Sequence, residues 1–168
     1  MTTFVSLTAC NDGEYREFCA RQIVEYADQL ARAGEVAAQL SLAAAQERLR
    51  DLSADRLRSL GHEFLVARSV QDAAVVGWAW LSPGQPFLGP GHERSCWLSQ
   101  LTVDEAHRRR GWGTAIMDAV GRHATNLGFA AIWLRVFDWN VAAQRLYQSR
   151  GYELARKFPT DAHLFKRL

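Results

Sequence analysis

The sequence predicts a mixed α/β (α+β) fold built on a central mixed sheet. Three observations predict it. Strand-like runs of apolar or alternating character recur along the chain, helical periodicities separate them, and Cys96 to Val136 reads as strand, loop, helix, strand, the order of a crossover between parallel neighbours. At 168 residues with 48% hydrophobic composition, one domain over residues 1–168 accounts for the chain.

Phe4 to Thr8 alternates as a first strand and runs into the turn residues Asn11-Asp12-Gly13. Asn11 with Glu14 forms a capping-box pattern. The apolar stripe Tyr15, Phe18, Cys19, Ile23, Tyr26, Ala27, Leu30 then predicts a helix ending before Gly34. A second, alanine-rich helix is expected from Glu35 to about Leu52, as a pocket wall or as simple core cover. Glu63 to Arg68 and Ala74 to Leu81 predict a hairpin, and the Pro/Gly-rich stretch from Ser82 to Arg94 a loop, functional or merely inserted. Cys96 to Val103 is the next strand, Trp112 to Gly128 a helix, and the mostly apolar Ala130 to Val136 a strand buried on both faces. Asn140 caps a helix running through Arg150, Gly151 ends it, and strands near Tyr152 to Arg156 and His163 to Lys166 close the chain.

Composition narrows the function classes. A net charge of +2 is too mild to argue for nucleic acid, and no stretch nears the roughly 20 apolar residues of a membrane span. The amino terminus has no signal-like pattern, so a soluble cytoplasmic protein without a membrane or nucleic-acid partner is expected. Three cysteines, Cys10, Cys19 and Cys96, are an odd count without paired spacing, which argues against disulfides or a metal site. Cys96 is either a buried small hydrophobe or a nucleophile.

The run Arg108-Arg109-Arg110-Gly111-Trp112-Gly113-Thr114 lies between a strand and a helix. A glycine loop there lets backbone N–H groups converge on an anion, the helix N-terminus adds about half a positive charge, and guanidinium groups pair with phosphate oxygens. A solvated basic helix cap is the plain alternative. The loop lacks the endings of a nucleoside triphosphate loop and of the three-glycine dinucleotide fingerprint.

Further on stands Asn140-Val141-Ala142-Ala143-Gln144-Arg145-Leu146-Tyr147, followed by Gly151-Tyr152. The two motifs, in this order and one strand apart, resemble the pyrophosphate loop and the second signature of the Gcn5-related N-acetyltransferase (GNAT) family, over about Phe64 to Leu168. The resemblance implies a GNAT-type acyl-CoA N-acyltransferase fold, with a splayed parallel strand pair in the mixed sheet and helices on both faces. It implies a single-domain N-acetyltransferase with acetyl-CoA (coenzyme A) as cosubstrate and no metal. By the same resemblance, Arg108, Arg109, Arg110, Gly111, Trp112, Gly113 and Thr114 hold the pyrophosphate. Leu101, Thr102 and Val103 flank the pantetheine, with an N–H near Leu101 facing the thioester oxygen; Asn140 and Ala143 meet the same arm, Asn140 being explained equally by its cap role. Tyr147 takes the family position of the general acid or is a structural tyrosine.

Where several relatives carry an acid on the central strand, this chain has Gln100, which cannot take a proton at neutral pH. Glu63, His62, His92, Glu93, Asp138 or water remain as bases. The resemblance implies an amine acceptor, a small amine, an aminoglycoside-like compound or an amino acid in preference to a protein amine, and a homodimer is open. Six tryptophans, among them Trp78, Trp80, Trp97 and Trp139, suit an aromatic acceptor site or the core. The alternative to an enzyme is a non-catalytic acyl-CoA-binding sensor or regulatory module, suggested by Gln100 and the unassigned base.

Overall fold

The computed structural model describes residues 4–48, 60–84 and 94–168. The chain forms two compact units, one of residues 1–9 and 61–168 and one of residues 10–60.

The smaller unit is helical. α1 (Asp12–Arg32) opens with the expected capping box, Glu14 N donating to Asn11 Oδ1 and Asn11 N to Glu14 Oε2, each at 2.9 Å. The long second helix expected from Glu35 is instead a one-turn 3-10 segment, Ala38–Leu40, followed by α2 (Ser41–Arg48). Ser41 Oγ donates to the Ala38 carbonyl at 2.8 Å, a local bond of the kind that diverts serine from regular helix. Residues 49–52 of that expectation lie outside the described residues. Among the described residues Ala27, Leu30 and Ala45 form one buried cluster of this unit, and the two alanines let α1 and α2 approach closely.

The larger unit is a seven-stranded sheet in the order β1-β2-β3-β4-β5-β7-β6. Its strands are β1 (Val5–Ala9), β2 (Glu63–Ser69), β3 (Val75–Pro83), β4 (Ser95–Val103), β5 (Ala131–Phe137), β6 (Glu153–Lys157) and β7 (Asp161–Arg167). Among the described residues only β4 and β5 pair in parallel, joined by the helical crossover that such a pair requires. Between them runs α3 (Trp112–Asn126), whose Ile116, Met117, Val120 and Ala124 are buried in one core with Leu65, Ala79, Leu98, Ile132 and Leu134 of the sheet. α4 (Val141–Ser149) follows β5.

α1, α3 and α4 share one stop. In α4 the amide of Tyr152 bonds the Tyr147 carbonyl and that of Gly151 the Gln148 carbonyl, both at 3.0 Å, the paired bonds of a Schellman motif. Gly151 sits at φ +80°, a backbone region that a Cβ disfavours, which is why a glycine stands there.

Candidate active site

β4 and β5 pair from Ser95↔Ala131 to Leu98↔Leu134 and no further. Beyond that point β4 stays on β3 as far as Gly77↔Val103, while β5 stays on β7 as far as Phe137↔Asp161. The parallel pair therefore opens into a V whose apex is Leu98 and Leu134, and whose arms present Leu101 to Val103 and Arg135 to Phe137.

The opening coincides with a defect in β4. Trp80 pairs with Gln100 but the next residue, Leu81, pairs with Leu98, so Ser99 has no counterpart. This is a β-bulge, and it resets the side-chain alternation. Cys96 and Leu98 before it and Leu101 and Val103 after it all pack into the same α3-side core. Trp97, Gln100 and Thr102 take the other face, where Gln100 Nε2 donates to Thr102 Oγ1 at 3.2 Å. Ser99 Oγ and the buried Ser82 Oγ lie 3.0 Å apart and hydrogen-bond, which ties the bulge to β3.

At the mouth of the V the chain makes a 3-10 turn, Glu105–His107, and then the arginine-glycine loop. Arg108 folds back and donates from Nε to the Val103 carbonyl at 3.1 Å, anchoring the loop to the end of β4. Arg109 at φ +62° and Gly111 at φ +84° both take left-handed backbone, turning the chain sharply before α3 begins at Trp112. The first helical bond runs from Ala115 N to Gly111 O at 3.1 Å, so the amides of Trp112, Gly113 and Thr114 precede it and belong to the donors a helix start leaves over. Trp112 stands edge-on to His107, ring centroids 6.0 Å apart. A Cβ on Gly113 would lie 3.2 Å from Leu146 of α4 and 3.6 Å from Val103 of β4, which places the start of α3 where the V and α4 meet. Donor amides, a positive helix end and the arginines Arg108, Arg109 and Arg110 make this corner chemically suited to a diphosphate.

α4 brings the second motif to the same place. Asn140 is its N-cap, Oδ1 accepting from Ala143 N at 3.2 Å. Gln144, which the sequence did not single out, donates from Nε2 to the carbonyls of Phe137 at 3.1 Å and Asp138 at 2.9 Å, fixing the turn out of β5. Tyr147 is buried, and burial pushes its phenol up to about 12. Its ring lies 5.8 Å from that of Tyr152.

The proton acceptors expected from sequence are scattered. Glu63 points to the α3 side and lies 3.5 Å from His123 Nε2. Asp138 is ion-paired to Lys157 Nζ at 2.7 Å. His62 Nδ1 accepts from Trp80 Nε1 at 3.0 Å, so the neutral ring carries its proton on Nε2, and burial lowers its pKa. His92 and Glu93 lie outside the described residues. The Cys96 thiol is fully buried and pushed up to about 12, which removes the thiolate a nucleophile needs and leaves the small-hydrophobe reading. The tryptophans divide: Trp78 is buried in the sheet, Trp80 stacks on Phe64, Trp139 stacks on Phe137, and Trp97 meets His163 on the face away from α3. Among the described residues no group of three or more His, Cys, Asp or Glu could hold a metal ion. No described helix is long and apolar enough to cross a membrane.

Known proteins share this fold. The chain is 28% identical over 90 residues to the L-ornithine N5-acetyltransferase NATA1 of Arabidopsis thaliana, covering 53% of this chain but only 38% of that protein. It is 22% identical over 165 residues to the uncharacterised N-acetyltransferase YycN of Bacillus subtilis (strain 168), covering 98% and 99% of the two chains. The crystal structure of YycN superposes with a TM-score of 0.82 at 20% identity over 93% of this chain and 96% of that one. The PaiA N-acetyltransferase of Thermoplasma acidophilum, solved with coenzyme A, gives 0.72 at 14% identity with both chains fully covered. The Acetyltransferase (GNAT) family matches residues 35–152, from the helical unit through the V and the arginine-glycine loop to Tyr152, and the chain belongs to that family.

Proposed function

We propose that this protein is an N-acetyltransferase of one domain that moves the acetyl group of acetyl-CoA to the amine of a small molecule by direct attack in a ternary complex. The observation that carries this reading is the convergence of three features on one corner: the V between β4 and β5, the donor amides ahead of α3, and the buried Tyr147 of α4. When bound, acetyl-CoA supplies an acyl group already activated as a thioester.

The chain's own residues supply the rest. Amides from Arg109 to Thr114 and the side chains of Arg108 to Arg110 neutralise the pyrophosphate, with Gly111 and Gly113 allowing backbone to come close. Leu101, Thr102 and Val103 offer main-chain groups along the β5-facing edge of β4 to the pantetheine arm, in the manner of strand addition, and an N–H near Leu101 faces the developing oxyanion. Asn140 spends Oδ1 on its cap, which leaves its amide N–H₂ for the same arm. Tyr147 is protonated throughout the working range and gives a hydrogen bond or a proton to the departing sulfur. With a phenol near 12 against a thiol near 8.5, full transfer is uphill by about 4 to 5 kcal/mol, so stabilisation of the leaving thiolate is its main contribution.

The acceptor is assigned only as an amine, and the Arabidopsis relative's ornithine is one of the compounds to try. Thermal shift with acetyl-CoA, then thiol release with amino acids, polyamines, aminoglycosides and lysine peptides, tests the reading. A rise in melting temperature and release above hydrolysis for at least one amine is expected. Binding without release to any acceptor would favour the sensor reading, which Gln100 in place of an acid supports.

A further inference from the structure

We infer that His163 is the proton acceptor for the attacking amine, an assignment that rests on the N-acetyltransferase reading above. Its position follows from the ladders. His163 pairs with Arg135, the first β5 residue past the last β4–β5 pair, Leu98↔Leu134. It alternates along β7 with Ala162 and Leu164, which face the α3-side core, so its ring lies on the opposite face. There it meets Trp97 of β4 edge to face at 5.0 Å and Phe158 at 4.7 Å. Trp97 is two strands away, so the imidazole leans across β5 to the apex of the V. This is the side on which Gln100 and Thr102 also present their side chains.

The charged groups around it are Asp161 on its own strand, Arg135 on β5 and Arg156 on β6, while Trp97 and Phe158 add no charge. Asp161 is committed to Arg135, Oδ2 to Nη2 at 2.7 Å. Burial is the dominant influence and, with the two arginines, outweighs Asp161 to hold the ring below the ordinary histidine value. At neutral pH His163 is therefore uncharged and able to accept a proton. Glu63, Asp138 and His62 are each committed elsewhere.

The ammonium form of the acceptor gives one proton to His163, its nitrogen forms the C–N bond to the acyl carbon, and the C–S bond breaks with its electron pair on sulfur. The sulfur, held by a hydrogen bond from the Tyr147 phenol, takes through water the proton that the new amide nitrogen sheds. His163 releases its proton to solvent, leaving an N-acetyl product, a free thiol and one proton.

The test uses the full chain with acetyl-CoA and the best amine of the panel. kcat/KM is measured from pH 5.5 to 9.5 for the wild type and for His163→Gln, and the ring titration of His163 is followed by proton NMR. The wild type should lose activity toward acid with a midpoint that matches the NMR titration. The variant should lose about 100-fold or more in kcat together with that acid limb, its KM for acetyl-CoA staying within about twofold. A variant that keeps the limb, or more than about a third of the activity, overturns the assignment and leaves the acetyltransferase reading standing. A wild type that turns over no amine overturns both. Should His163→Gln not fold, an NMR midpoint about one pH unit or more from the kinetic limb of the wild type overturns it alone.

Discussion

The rings of Tyr147 and Tyr152 meet at a tilt, centroids 5.8 Å apart, across the end of α4, and this contact is the side-chain half of the backbone motif that stops the helix. In a Schellman stop the third residue from the helix end meets the second residue beyond it, and here those two are Tyr147 and Tyr152. The spacing tyrosine, three residues, glycine, aromatic is thus a physical device. It holds the phenol by its own helix terminus.

Replacing Tyr147 with Phe keeps the ring contact and removes only the hydroxyl. Turnover should fall by about 100-fold while the Kd for acetyl-CoA stays within about twofold. Because the phenol is raised to about 12, the variant's pH profile below about pH 10 should keep the wild-type shape. Steady-state kinetics with calorimetric binding checks both, and unchanged turnover would remove Tyr147 from the chemistry.

Gly151→Ala puts a Cβ on backbone at φ +80°. A cost of about 1–2 kcal/mol, or a few degrees in melting temperature, is expected. Since Tyr147 is held by the same motif, turnover at a temperature where the variant is fully folded should fall as well. Normal turnover there would separate the helix stop from the placement of the phenol.

Gly77→Ala acts on the other side of the V. A Cβ there would overlap the Thr102 carbonyl oxygen and come within 2.8 Å of Ile116 Cδ1. Overpacking of this kind costs about 1–3 kcal/mol, and relief by moving Thr102 would displace the strand edge proposed to receive the pantetheine. A lower melting temperature together with weaker acetyl-CoA binding is the expected pair of results. A loss of stability alone would mean that β4 does not move.

Arg108→Ala removes the bond from Nε to Val103 O at 3.1 Å as well as a charge. Coenzyme A affinity should drop by roughly tenfold, the scale of one charged hydrogen bond. The deficit should persist at high salt, because loop geometry is lost along with attraction. Titration calorimetry at two ionic strengths decides, and a deficit that vanishes with salt would reduce Arg108 to a surface charge.

Stability should fall on acidification from neutral pH. Burial lowers the folded pKa of both His62 and His163, so the unfolded chain binds protons first as pH drops through about 6.5. Stability therefore rises with pH across that window and levels off above it. Melting curves from pH 8 to 5 should show this slope, and His62→Gln should flatten part of it; a melting temperature constant across the window would contradict both shifts.

Much of this architecture was legible in sequence because its signals are local. Asn11 with Glu14, Gly151 after α4, Asn140 before it and the arginine-glycine loop each act within a few residues of themselves, and each stands where its pattern put it. The expected helix after Glu35 broke at Ala38 to Leu40 because alanine-rich periodicity does not register a serine bonding its own turn. His163 carries no local signal in the sequence, since its meaning comes from Trp97 and Arg135, neighbours through strand pairing alone. The bases that the sequence suggests are polar residues close to strand ends or turns, and the structure gives Glu63, Asp138 and His62 partners of their own.

Ser99 carries a consequence for how this strand tolerates change in length. Side chains along β4 are read two by two, and the one unmatched residue shifts that reading frame. Deleting Ser99 would restore a regular ladder with every remaining pair kept, Leu98 on Leu81 and Gln100 on Trp80, so Leu101 and Val103 would stay in the core and Gln100 and Thr102 on the other face. A point substitution at Ser99 loses only a hydroxyl contact with Ser82. Deletion of Ser99 leaves inside and outside as they are and removes the bend that accompanies the opening of the V.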